Sequence, residues 1–557
     1  MDRTAAERTD GLDGGGASGG RGGTLRGMLR AVGTISFFTL LSRILGFVRD
    51  VVIAHGFGAG MGADAFFVAL KLPNFLRRLF AEGAFGTAFV PVISDYLAAG
   101  DPRATREAVQ AIFTQLLVVL VAVVAVAQVV MPGVVYVAAP GFYDDPEKFQ
   151  LTVELTRITF PYILFISLVA LAGGVLNSHH RFWLPAATPI LLNLSLIVGA
   201  LGIAPFLERP VDGLAWGVFL GGVVQLAIQF PALRRIGLPL RWRWHWGHPA
   251  TRRVLLLMTP SIVGVSVAQI NLLFDIFVAS WLPVGSISYL YYADRLVEFP
   301  LGLIGIAMAT VILPMFSAKA SRQDLEGLKA DLDYALRLVL IINIPATVGL
   351  VVLREPILGL LFQRGAFDAE TTRLTGQAVM AFGVGLTAFS AVKVISPAFY
   401  ALKDTRTPVR VAIVCLLSNM VLNVALMFPL QHAGLALATT LSSYLNCGLL
   451  LRALGKKLDF NPVAGLPLVA LKTGVASLGM TLFLSMSLWG LWSPGMGTLG
   501  LLFLVMYAML GGGVVFLVLA RVLQLRELNE LIGAIRKGGR KQAPAVDETP
   551  QKKDGDV

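Results

Sequence analysis

A chain of 557 residues that is 56% hydrophobic and only 14% charged, with mean hydropathy +0.73, falls outside the soluble globular class and inside the polytopic membrane class. Its net charge of +12 would suggest nucleic acid in a soluble protein, but the basic residues concentrate in loops and tails, so no nucleic-acid partner is expected. Cys415 and Cys447 both lie in apolar runs, which excludes a disulfide framework and a thiolate metal site.

Residues 1–30 are rich in Gly and Arg and are expected to form a disordered cytoplasmic N-terminus. The next apolar run is interrupted by Arg43 and Arg49 and is not a cleavable signal. About fourteen apolar spans follow: 33–56, 64–97, 108–138, 150–177, 184–206, 212–233, 254–283, 286–317, 334–361, 374–401, 408–429, 433–454, 464–490 and 497–520. The tail 521–557 is basic, and 521–541 reads as an amphipathic segment on the cytoplasmic surface. Of the 46 Lys and Arg, 31 fall in the termini, alternate loops and adjoining span ends of one side. The other side holds five, Lys148, Arg209, Arg354, Arg364 and Arg373. Both termini are therefore expected in the cytoplasm, and the short outer loops leave no room for an external catalytic domain.

An internal repeat runs at a nearly fixed offset. Residues 87–94, TAFVPVIS, match 310–317, TVILPMFS, at 223 residues, and Pro185 matches Pro408 at the same offset. Leu151-Thr152 matches Leu374-Thr375, again at 223, and Gly213-Leu214-Ala215 matches Gly434-Leu435-Ala436 at 221. An offset of six spans preserves orientation, so the expected fold is all-α, with two parallel six-helix repeats in a V-shaped bundle plus two C-terminal helices. The repeats occupy 31–233 and 254–454, and the added helices 464–520.

Charges interrupt several of these spans, and four of them carry the groups that matter here. Between Asp64 and Tyr96 an apolar stretch carries Lys71, Arg77, Arg78 and Glu82, with Lys71, Arg78 and Glu82 at helix-face spacing. Arg77 and Arg78 fall roughly 20 Å along the helix from Asp64, too deep for easy snorkelling. The first span carries Arg43, Arg49 and Asp50, and the eighth, the repeat partner of the second, carries Asp294, Arg295 and Glu298. A charge at bilayer depth costs several kcal/mol unless it faces a partner or a wet cavity. Ion pairs that merely lock helices would account for some of these residues, but so many guanidinium groups suit bidentate phosphate binding, with the acids as exchange partners. A second group, Asp275, Asn419, Asn423 and Thr439, offers hard oxygen ligands for Na⁺ or a proton-linked carboxylate; interhelical hydrogen bonding is the plainer reading.

Other features are read plainly. Asp144-Asp145 is a solvated turn rather than a metal pair, and His179-His180 with Arg181 is a surface hairpin. Arg241, Arg243, Arg252 and Arg253 with Trp242, Trp244 and Trp246 form an interfacial anchor. No nucleotide-binding, zinc-protease or nucleophile-elbow motif is present, so no enzyme activity, cofactor or metal is expected.

The segments SRILGFVRD, GAGMGADAFFVALKLPNFLRRLFAEGAFGTAFVPV, YYADRLVEFPLG, GVLNSHHRFWLPAATP and FYALKDTRTPV resemble the signature stretches of the MurJ (MviN) flippases. The resemblance covers nearly all fourteen spans, leaving out the first thirty residues and the tail after about Arg526. It implies the fold of the multidrug/oligosaccharidyl-lipid/polysaccharide exporter superfamily, working by alternating access in a bacterial plasma membrane. The implied substrate is lipid II, undecaprenyl-pyrophosphate carrying a disaccharide-pentapeptide, with membrane lipids and the cell-wall synthesis machinery as further partners. By the same resemblance, the family's cavity arginines fall on Arg43, Arg49, Arg77 and Arg295, and its acidic positions on Asp50, Asp64 and Glu82. The two last helices would hold a groove for the lipid tail. Na⁺ or H⁺ is the expected coupling ion. Competing readings are a flippase for another lipid-linked glycan and a cation-coupled multidrug exporter, which would want an acidic cavity; a membrane glycosyltransferase or scaffold lacks the loops and leaves the buried arginines unexplained.

Overall fold

The computed structural model describes residues 19–78, 85–245, 247–493, 495–528, 530 and 533, and the side chains among them other than those of 19–32, 87, 260–268 and 303–310. Glu82, Trp246 and most of the basic tail lie outside the described residues. Among those described there are helices and no strands. In chain order they are α1 Gly19–Phe57, α2 Met61–Leu76, α3 Gly86–Ala98, α4 Pro102–Ala138, α5 Pro146–Thr159, α6 Tyr162–Ser178, α7 Trp183–Val198, α8 Val211–Ala227 and α9 Gln229–Arg235. Then come α10 Pro249–Ala279, α11 Ser286–Ser321, α12 Leu325–Val352, α13 Arg354–Leu361, α14 Ala369–Val384, α15 Leu386–Ala401, α16 Arg406–Leu458, α17 Leu466–Leu491 and α18 Thr498–Val522.

Nine helices among the described residues are long and apolar enough to cross a membrane, and they account for ten of the fourteen expected spans. Spans 408–429 and 433–454 run together in α16, which breaks at Gln431, a residue with φ of 49°. The four expected spans missing from that set are those on α1, on α2 with α3, on α10 and on α11. Charged residues interrupt the apolar runs of all four, and 79–84, 260–268 and 303–310 lie outside the residues on which these spans are counted. Aspartate caps start three of the other helices: Asp101 accepts from the Arg103 and Ala104 amides at α4, Asp145 from the Lys148 amide at α5 and Asp324 from the Gly327 amide at α12. Asp145 is thus a helix cap, which is why an acidic doublet stands there.

The chain forms two compact units. The first comprises residues up to Arg295 with Leu361–Ala378 and Leu416–Ala438. Its core includes Met131, Val135, Val153 and Ile163 from α4 to α6. Close helix approach depends on glycine here: a Cβ on Gly213 of α8 would stand 2.6 Å from the Ala204 amide nitrogen, and one on Gly434 would meet the Leu426 carbonyl. The glycine shared by the two repeat motifs therefore has the same packing role at both positions.

The second unit comprises Leu296–Leu360, Val379–Cys415 and Thr439 onward. One core gathers Phe316, Leu336, Val394, Phe399 and Leu454. Another packs α17 and α18 on α12 through Ile341, Val469, Ala476 and Phe516, and it continues to Leu525 and Leu528. Arg337 donates to Glu527 at 3.0 Å, so the start of the basic tail is held against α12.

Candidate functional site

The first unit collects most of the expected charged residues. On α1, Arg49 directs three of its nitrogens inward: Nε and Nη2 donate to Asp50 Oδ1 at 2.9 and 2.6 Å, and Nη1 donates to Asn193 Oδ1 of α7 at 2.9 Å. Nη2 also donates to Tyr291 Oη of α11 at 3.1 Å, and that hydroxyl donates to Asp50 Oδ1 at 2.8 Å. Asn193 is itself anchored, its amide donating to the Ser42 carbonyl at 3.0 Å. Arg295 approaches the other Asp50 oxygen at 3.5 Å and lies over the Tyr291 ring, 5.1 Å from its centroid. Asp50 is 1% exposed. One covered carboxylate thus stands between two guanidinium groups from different helices, and Arg295 keeps part of its side chain accessible. An incoming anion can replace a shared carboxylate on one guanidinium while the other retains it.

Asp64 behaves differently. It is 1% exposed and accepts four hydrogen bonds: from Lys148 Nζ at 3.1 Å, the Gly285 amide at 2.7 Å, the Ser288 amide at 3.0 Å and Ser288 Oγ at 2.7 Å. The carboxylate of α2 therefore caps the start of α11, where unpaired amides and the helix dipole favour negative charge. Lys148, counted by sequence as an outer-loop cation, is 4% exposed and also sits 3.9 Å from the Phe142 ring centroid. Its sequence context, DDPEKF, is that of a solvated turn, so nothing local marks it as buried.

A third group surrounds Asp275 of α10. Asn423 Nδ2 donates to its Oδ1 at 2.8 Å and also to Asn419 Oδ1 at 3.0 Å, and Asn271 Nδ2 donates to Asp275 Oδ2 at 3.3 Å. The Oδ1 atoms of Asn423 and Asn271 are buried with no hydrogen-bond partner. Thr439 belongs to the other unit. Lys71 of α2 is half-buried, within electrostatic range of Asp275, Asp294, Arg295 and Arg78. Arg77 and Arg78 occupy a widened π-helical turn that breaks the ideal spacing along this face. Arg77 is half-buried and its Nε donates to Asn74 Oδ1 at 3.0 Å; Arg43, Arg78, Asp294 and Glu298 are exposed.

The residues missed by sequence reasoning are Asn193, Tyr291, Lys148, Ser288 and Asn271. Asn193 and Asn271 are polar residues within apolar spans, and Tyr291 precedes the charged ADR triplet, so three of the five left a faint signal. Between α9 and α10 the linker is tied to α4: Gln110 donates to the Pro239 carbonyl at 3.2 Å, Gln115 to the His245 carbonyl at 2.6 Å, and Arg243 pairs with Glu107 at 3.0 Å. Trp242 and Trp244 stack at 6.0 Å and stay exposed, as an interfacial anchor requires.

The sequence profile described as lipid II flippase MurJ matches residues 53–510. The chain belongs to the MurJ family. It is 46% identical over 428 residues to a probable lipid II flippase MurJ of Vibrio cholerae, covering 75% of this chain and 81% of that one. Against the lipid II flippase MurJ of Burkholderia cenocepacia it is 40% identical over 445 residues, covering 79% and 86%. A solved structure of lipid II flippase MurJ in an inward closed conformation superposes with TM-score 0.75 at 27% identity, over 89% of this chain and 99% of that one. An inward-facing multidrug resistance MATE transporter of the MOP superfamily shares the fold alone, with TM-score 0.62 at 15% identity and coverage of 75% and 94%. The chain is thus a multi-pass membrane protein with a MurJ fold. Arg43, Arg49 and Asp50 precede the residues matched by that profile.

Proposed function

We propose that this chain moves lipid II from the inner to the outer leaflet of the bacterial plasma membrane by alternating access between two parallel six-helix bundles, 31–233 and 254–454, for cell-wall synthesis. Both termini face the cytoplasm, and the helices of 464–520 accept the lipid tail. Arg43, Arg49, Lys71, Arg77, Arg78 and Arg295 meet the pyrophosphate, with Asp50, Asp64, Glu82, Asp294 and Glu298 as acidic partners. The observation that carries this reading is Asp50 shared between Arg49 and Arg295 under almost complete cover. Two guanidinium groups held by one carboxylate form a doubly basic pair that a pyrophosphate can take over and later return. Expression in a flippase-depleted strain, with lipid II measured separately in each leaflet, tests it. Restored growth with lipid II in the outer leaflet is expected; growth without that change would remove the assignment.

We assign coupling to Na⁺ or H⁺ to the Asp275 cluster of the first unit, with Asn419, Asn423 and Asn271; Thr439, the fourth expected member, belongs to the other unit. Among the described residues no cluster of three or more His, Cys, Asp or Glu could hold a metal ion. One carboxylate with amide oxygens, two of them lacking partners, suits a monovalent cation. Bound there, the ion would neutralise Asp275 and accept the two spare amide lone pairs. Asp275→Asn is expected to remove the response of flipping to a sodium or proton gradient in vesicles, leaving any response to voltage. Unchanged gradient dependence in that variant would make the cluster a purely structural hydrogen-bond network.

A further inference from the structure

At the end of α16 a cavity of about 630 Å³ opens between the helix and the turn leading to α17. Its floor is a run of α16 with Gly448 and Gly455 seven residues apart on one helix face, and Phe460, Pro462 and Val463 complete the lining. Asp459 makes the turn possible by taking a left-handed conformation, φ 49° and ψ 56°, and the Phe460 amide closes it by donating to the Gly455 carbonyl at 3.1 Å. A Cβ on Gly455 would press on Phe460 and Pro462, so that glycine is committed to the fold. One on Gly448 meets nothing within 4 Å, so that end of the floor is open.

The lining has two chemistries. Arg452 and Lys456, four residues apart on one helix face, both reach the cavity, and neither has a carboxylate partner among the described residues. The neighbouring Lys457 is committed elsewhere: it donates to Asp404 at 2.6 Å, and that bond holds the Asp404 carboxyl well below the usual carboxylate range. Leu451, Phe460, Pro462 and Val463 supply apolar surface. Within the lining, Arg452 and Lys456 against Asp459 leave one net positive charge. That matches a phosphodiester, which carries one negative charge, better than a pyrophosphate. Apolar surface at the end of a membrane-spanning helix, from Leu451 and the residues just after it, favours an amphiphile over a soluble phosphate.

We propose that this cavity binds the phosphodiester headgroup of an anionic glycerophospholipid, held by Arg452 and Lys456, with the first carbons of its chains against Leu451 and Phe460. The site lies wholly within the second unit and is separate from the charged groups on α1, α2 and α11. It gives the junction between α16 and the added helices a ligand of the membrane itself, independent of what is transported.

Native mass spectrometry of the full-length protein in detergent tests this with dioleoyl phosphatidylglycerol against dioleoyl phosphatidylcholine. The wild type is expected to retain phosphatidylglycerol in preference. Arg452→Ala/Lys456→Ala is expected to weaken that retention by roughly tenfold or more. Gly448→Leu, whose Cβ meets nothing within 4 Å, narrows the open end and is expected to do the same with unchanged thermal unfolding. No preference in the wild type overturns the proposal. So does loss in the charge variant with full retention in Gly448→Leu, because the attraction would then be a general surface effect. Displacement of phosphatidylglycerol by an equimolar polyprenyl pyrophosphate would assign the cavity to that lipid class and overturn the choice of ligand.

Discussion

Arg49→Ala is expected to abolish complementation of a flippase-depleted strain and to lower lipid II flipping in vesicles by at least about a hundredfold, with membrane insertion retained. The side chain makes four hydrogen bonds to three residues on α1, α7 and α11, and its loss leaves the Asn193 acceptor without its donor. A buried acceptor that loses its donor costs about 1–3 kcal/mol, and each 1.4 kcal/mol is a factor of ten, so this loss alone accounts for roughly 5- to 150-fold and the lost contact with the pyrophosphate supplies the rest. Arg49→Lys is expected to fail almost as badly. An ammonium is a compact charge and cannot hold Asp50, Asn193 and Tyr291 together as the planar fork does. Asp50→Asn provides the opposite perturbation. Both Arg49 and Arg295 lose their shared carboxylate, so the pyrophosphate is expected to bind more tightly and leave more slowly. Wild-type flipping by Arg49→Lys would show that charge alone suffices and would end the bidentate account.

The contrast between Arg49 and Lys148 shows what can be read from sequence and what cannot. Arg49 stands in an apolar run of membrane length, where a charge has to be explained, and the expense of burying it makes it conspicuous. Lys148 stands at the start of α5 after two aspartates and a proline, where a lysine usually faces water. Only the tertiary arrangement that brings Asp64 to it reveals that it is covered. The same reasoning applies to the fold. Helices α4, α6, α12, α17 and α18 follow from apolar length alone, whereas α2 runs into a widened turn at Arg77–Arg78 where a uniform helix is the simplest expectation. Hydropathy has no term for an added residue per turn. Asp275 was visible as a lone acid in an apolar span, but its neighbour Asn271 gained meaning only when its oxygen proved to have no partner. In α16, Pro429 marks the right neighbourhood for a break, and the residue that takes the positive φ is Gln431, which has no special tendency to do so.

Asp64→Ala is expected to produce the largest loss of stability of any single carboxylate substitution in the chain. Removing one partner of a buried pair leaves the other as an uncompensated charge, a cost of about 3–5 kcal/mol. Here the stranded partner is the Lys148 ammonium, and the same substitution also leaves the Gly285 and Ser288 amides at the start of α11 without their acceptor. Asp64→Asn keeps an acceptor for those amides but not the charge, so it should fall between alanine and wild type. Lys148→Met removes the cation while keeping an unbranched chain against Phe142, and Asp64→Asn/Lys148→Met is expected to recover much of the loss of Asp64→Asn alone. Thermal unfolding of the four purified variants measures the coupling, and membrane abundance shows how much of it cells tolerate. In the alternating cycle proposed above, the two halves of this network have different fates. Lys148 neutralises Asp64 from α5, whereas the amides belong to the end of α11, so the carboxylate keeps its counter-charge if that end withdraws. Lys148→Met alone is therefore expected to slow transport more than it lowers the melting temperature, because it strips Asp64 of the partner it needs when α11 is away. Equal unfolding temperatures for Asp64→Ala and wild type would contradict a buried pair, and unimpaired transport by Lys148→Met would confine that pair to a static role.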